Sequence, residues 1–159
     1  MNYWLILMIV GTIALIVGPV MLFKPSGRDY QLAALRQQAA EKGIRVRLVQ
    51  SQVRGEEETL AVYSVPFVQA SPDRAEWLLL KRGLVHEIHF YREWDWDNKK
   101  NIPPPQQQKA IKAIIEHVND NIVGLELTSS SVGVWWKEVG SKLDDIELVL
   151  KELLKLVNT

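Results

Sequence analysis

The sequence predicts an α+β protein: an N-terminal transmembrane helix, then a two-layer domain of antiparallel sheet, about six strands, with helices packed on one face. Three observations carry this. No charged side chain precedes Lys24, so the first segment is apolar without interruption. The remainder switches between period-two and helical spacing of its apolar residues. Its strand-like runs are joined by short polar connections, which suit hairpins and hence antiparallel pairing.

From Tyr3 to Phe23 the polar groups are the Tyr3 hydroxyl, the Trp4 indole N–H and the Thr12 hydroxyl. A hydrocarbon layer about 30 Å thick takes about 20 helical residues, which this run supplies. A secretory signal needs an n-region with positive charge and small residues at a cleavage site, and neither is present. The expectation is a single-pass cell inner membrane protein. Lys24, Arg28, Arg36 and Lys42 follow the helix and no Lys or Arg precedes it, so the N-terminus is expected outside and the C-terminal domain in the cytoplasm. Gly11, Ala14 and Gly18 share one helix face and are candidates for close transmembrane packing.

Pro25 ends that helix. Ser26 or Gly27 then caps a juxtamembrane helix from Arg28 to Lys42, with Gly43 as its left-handed stop. The organisation is therefore 1–24 transmembrane, 25–43 juxtamembrane and 44–159 domain. Residues 44–48 alternate as a strand, Ser51 to Glu58 reads as an exposed connection, and Thr59 to Val65 forms a second strand. Residues 76–81 and 84–91 flank Arg82-Gly83 as a hairpin. Arg92 to Pro105 is expected to be a loop, closing in three prolines that start a helix from Gln106 to Asn119. Residues 122–127 and 132–138 are the last two strands, turned by Ser129-Ser130-Ser131. Ser141, with Asp144 reaching back, caps a final helix whose apolar face carries Leu143, Ile146, Leu150 and Leu153.

Composition excludes several functions. With 19 Lys+Arg against 19 Asp+Glu the net charge is +0, which lacks the basic excess a nucleic-acid binder uses against phosphates. The absence of Cys removes disulfides, thiolate metal sites and Cys nucleophiles. His86-Glu87-Ile88-His89 is the one metal-like cluster, but strand alternation sends His86 and His89 to opposite faces. No metal, cofactor or catalytic residue is therefore expected, and Glu56-Glu57-Glu58 reads as a solvated hairpin tip. A hydrolase or metalloenzyme would require His86, Glu87 and His89 to converge.

Tryptophan is the unusual feature. Trp94 and Trp96 interleave with carboxylates on the expected loop, and Trp135-Trp136 sends one ring to each face of a strand. All four are interface candidates, because Trp is enriched at binding hot spots.

The charge-free run Tyr3–Phe23, the exit Lys24-Pro25-Ser26 and the helix Gln31-Leu32-Ala33-Ala34-Leu35-Arg36 resemble small single-pass bacterial inner-membrane proteins of unassigned function. The layout, though no motif, is similar to the accessory subunit of the preprotein translocase. The resemblance implies a non-enzymatic accessory or scaffold subunit, with the lipid bilayer and a larger membrane protein complex as partners. The alternative is a membrane-tethered sensor or ligand-binding module using the Trp94/Trp96 loop.

Overall fold

The computed structural model describes residues 2–22, 26–53, 56–72, 74–82, 89–140 and 142–157, with side chains in those ranges other than 18–22 and 52–56. The chain divides into two compact units, Met1–Ala34 and Leu35–Thr159.

In the first unit, helix α1 spans Tyr3–Leu22 and helix α2 begins at Gly27, running to Glu41 in the second unit. Ser26 caps α2 reciprocally: its Oγ accepts from Asp29 N (3.3 Å) and Asp29 Oδ2 accepts from Ser26 N (2.8 Å). The large apolar side chains of α1 from Tyr3 to Val17 are exposed. The transmembrane expectation is corrected here. Among the described residues no helix is long and apolar enough to cross a membrane. With that helix go the single-pass, inner-membrane and N-outside expectations. Gly11 has nothing within 4 Å of the place a Cβ would take, and Ala14 is exposed. Gly18 lies on α1 among the residues whose surroundings are not described.

The second unit is an α+β fold with one seven-stranded antiparallel sheet in the order β1-β2-β7-β6-β3-β5-β4. The strands are β1 Arg45–Val53, β2 Glu56–Pro66, β3 Trp77–Lys81, β4 His89–Tyr91, β5 Trp94–Trp96, β6 Ile122–Leu127 and β7 Ser131–Trp136. Helix α3 (Pro105–His117) joins β5 to β6 and helix α4 (Leu143–Val157) ends the chain. The β6–β7 hairpin inserts between β2 and β3 and so occupies the centre.

Three boundaries differ from expectation. The seventh strand is β5, whose Trp-Asp-Trp reads as a polar loop if charge is weighed above alternation. In the strand, both Trp rings take one face and Asp95 the other. The first hairpin is also longer than expected, pairing Val53 with Glu56, since backbone ladders accept polar residues on open strands. Its tip, 54–55, lies outside the described residues, as do 83–88 of the Arg82-Gly83 hairpin and the expected cap Ser141. The reach-back at α4 comes from Asp145, whose Oδ2 accepts from Lys142 N (3.0 Å).

Strands β6 and β7 bury nearly every position, so the sheet is covered on both faces at its centre. On the helix face Leu79, Leu125, Val134 and Trp136 meet Ile111, Ile146, Leu150 and Leu153. Trp96 sits against Trp77 and Phe90, with ring centroids 5.8 and 4.9 Å away. The opposite face is closed by Leu60, Val62, Leu80, Val123 and Trp135. Here two glycines set the packing. A Cβ on Gly124 would lie 2.9 Å from Trp135 Cβ and Cγ, and one on Gly133 would lie 2.6 Å from Glu126 Oε1. Each glycine faces a large side chain across the β6–β7 ladder, in the pairs Gly124–Trp135 and Gly133–Glu126. Over them Trp135 Nε1 donates to Glu126 Oε2 (2.7 Å) and Arg47 Nη2 donates to the same carboxylate (2.7 Å).

Within the second unit, ion pairs tie residues 35–42 to this sheet and to α4. Arg36 donates from Nε and Nη2 to both oxygens of Glu138 (2.8 and 2.6 Å), and Tyr63 Oη donates to Glu138 Oε1 (2.7 Å). Burial, and then the Glu138 carboxylate, push the Tyr63 phenol up. The Glu138 bonds raise Arg36. Lys42 reaches Asp144 and Glu147 on α4, both at 2.7 Å. Lys151 and then Lys42 hold the Glu147 carboxyl down at about 2.

Gly124→Ala is expected to lower stability by about 1–3 kcal/mol, because the added methyl meets Trp135 with no slack. Urea unfolding followed by far-ultraviolet circular dichroism measures it, and a change near zero would mean Trp135 does not lie over Gly124.

Candidate functional site

At one end of the sheet a cavity of about 520 Å³ opens between the ends of β3, β5, β6, β7 and α3. Its construction is local. Helix α3 stops where Val118 turns extended (φ −73, ψ 137). Asn119 Oδ1 then accepts from the backbone N of Asn121 (2.9 Å) and from its Nδ2 (3.2 Å). Such a side-chain turn suits Asn. Asn119 O accepts from Ile122 N (3.0 Å) and Asn121 O from Lys137 N (3.1 Å), which fastens the turn to the start of β6 and the end of β7. The β6–β7 register shifts between Ile122 and Gly124, leaving Val123 as an extra residue that lines the cavity.

Lys81 is the central side chain. It ends β3 opposite Trp94, and its side chain is 8 % exposed. Its Nζ donates to Asp120 O (3.3 Å) and Asp120 Oδ1 (3.1 Å) and lies 5.5 Å from the Trp94 ring centroid. An ammonium carries three protons, so one is left for whatever enters the cavity. Asp120, by contrast, is fully exposed. A buried cation whose carboxylate partner stands in water gains little from the pair, and the arrangement is poor as a structural device.

The rim carries further charge. Arg92 holds a left-handed conformation (φ 54) in the β4–β5 turn, with its guanidinium carbon 5.1 Å from the Tyr91 ring centroid. Tyr91 Oη donates to Glu116 Oε1 (3.2 Å), and Lys137 Nζ pairs with Glu58 Oε2 (2.6 Å). Trp94, Ile115 and Val123 supply the apolar wall.

Of the tryptophans singled out in the sequence, Trp94 reaches this cavity and the others do not. Trp94, Trp96, Trp135 and Trp136 are 2, 3, 6 and 1 % exposed, so none presents its ring as an outward anchor. The division of Trp135 and Trp136 between the two faces follows strand alternation, with Trp136 Nε1 donating to Val139 O (3.3 Å). His86 and Glu87 lie outside the described residues. His89 Nδ1 is 2.9 Å from Asp95 Oδ1, and Asp95 Oδ2 is buried without a hydrogen-bond partner. Among the described residues no group of three or more His, Cys, Asp or Glu could hold a metal ion.

Lys81, Asp120 and Arg92 were not legible as site residues. The one available signal was alternation: Trp77 and Leu79 face the helices, so Lys81 continues an inward row.

Lys81→Met removes a buried charge and leaves behind a carboxylate in water and the Asp120 main-chain oxygen. The expected result is unchanged stability or a gain of about 1 kcal/mol. A loss of about 3 kcal/mol in urea unfolding would instead make Lys81 a structural ion-pair partner. No protein-family model, no curated protein and no solved structure matches this chain.

Proposed function

We propose that residues 35–159 form a non-enzymatic binding module for a small ligand, held in the cavity beside Trp94. The observation that carries it is Lys81: a buried ammonium with an uncommitted proton on the wall of a cavity of about 520 Å³. Ligand sites combine apolar walls with placed polar groups, and here Trp94, Ile115, Val118 and Val123 share the lining with charged residues of both signs. Around the rim Glu116 accepts the Tyr91 hydroxyl and Lys137 pairs with Glu58, which suits recognition more than proton transfer. A scaffold that docks through exposed indoles has less support, since all four candidate rings are buried.

The test uses the neutral probe 2-naphthalenemethanol and amide correlation spectra of the full chain. Saturable shifts are expected at Lys81, Trp94, Val118 and Val123, and Val118→Phe is expected to weaken binding about tenfold by narrowing the cavity. Absent shifts, or shifts centred on α4, contradict the proposal.

A further inference from the structure

The charge balance around Lys81 goes one step beyond this reading and rests on it. The Lys81 ammonium is enclosed, whereas Asp120, its carboxylate partner at 3.1 Å, is fully in water. Water and salt screen the exposed partner, so the enclosed charge remains under-compensated. Glu93 and Glu116 also line the cavity, and Glu116 accepts the Tyr91 hydroxyl (3.2 Å), while Arg92 lies over Tyr91 and Lys137 is paired with Glu58 at 2.6 Å. On the same wall stand the apolar surfaces of Trp94, Ile115 and Val123.

We infer that the ligand is a carboxylate with an apolar body: its carboxylate accepts the uncommitted Lys81 N–H, and its body fills the cavity of about 520 Å³. A carboxylate converts that proton into a charge-assisted hydrogen bond and neutralises the enclosed ammonium. A cation of the same shape placed against Lys81 meets its charge and is repelled by it.

The experiment compares three naphthalene probes on the full chain by calorimetry: 2-naphthoate, 2-naphthalenemethanol and 2-naphthylmethylammonium. The carboxylate is expected to bind about tenfold more tightly than the alcohol, with the ammonium weakest. Lys81→Met is expected to bring the carboxylate down to the alcohol. Asp120→Asn, which alters an exposed side chain, is expected to tighten the carboxylate by freeing more of Lys81. Equal binding of carboxylate and alcohol overturns the inference while leaving the cavity as a ligand site. A carboxylate preference that survives Lys81→Met also overturns it, by placing the anchor elsewhere. No binding of any probe overturns the cavity reading itself.

Discussion

The register of β6 on β7 is the constraint on which the rest depends. Ile122 and Gly124 both find partners on β7, at Trp136 and Trp135, because Val123 is carried as an extra residue between them. The glycine that follows leaves room for Trp135, which a side chain at 124 would displace. Since this hairpin sits at the middle of the sheet, both faces depend on it. Trp136 enters the helix-covered core and Trp135 the opposite cluster. The bulge also places Val123 in the cavity wall, next to the Asn119–Asn121 turn that brings Asp120 to Lys81. Bulges are used at sheet ends to redirect side chains, and this one lies where the cavity opens.

Lys81 is costly to hold there. Removing an ammonium from water costs several kcal/mol, and an exposed carboxylate returns little of it. Arg36 provides the contrast within the same fold. Its guanidinium makes two bonds to Glu138, whose side chain is 7 % exposed and also takes the Tyr63 hydroxyl. That triad fixes α2 against the sheet with its acceptors occupied, as a structural pair should. Lys81 has a buried donor, a partner in water and open space beside it. The difference is what separates a site from a brace.

Much of the fold was legible because periodicity survives in the residues that pack. The helices α3 and α4 followed from their apolar faces and the proline start, and β6 and β7 from continuous apolar runs. The strand β5 was missed because Asp95 and its neighbours weigh as loop residues, although Trp-Asp-Trp has the period of a strand. The site was hardly legible. Lys81, Arg92 and the pair Val118 and Asp120 lie on three separate segments, and no spacing in the chain announces that antiparallel pairing gathers them. The tryptophans drew attention as anchors, but a large ring is as well suited to filling a core, and these four fill it. The apolar run at the N-terminus pointed to a membrane span that the described part of α1 does not supply.

The central claim is that the Lys81 ammonium is enclosed and waits for an acceptor. Proton–nitrogen correlation of the lysine side-chain ammonium groups tests it directly, because water exchange erases signals from exposed ones. The account predicts a resolved Lys81 signal that moves when 2-naphthoate is added. A Lys81 signal lost to exchange, or one that stays fixed while the carboxylate binds, would contradict it.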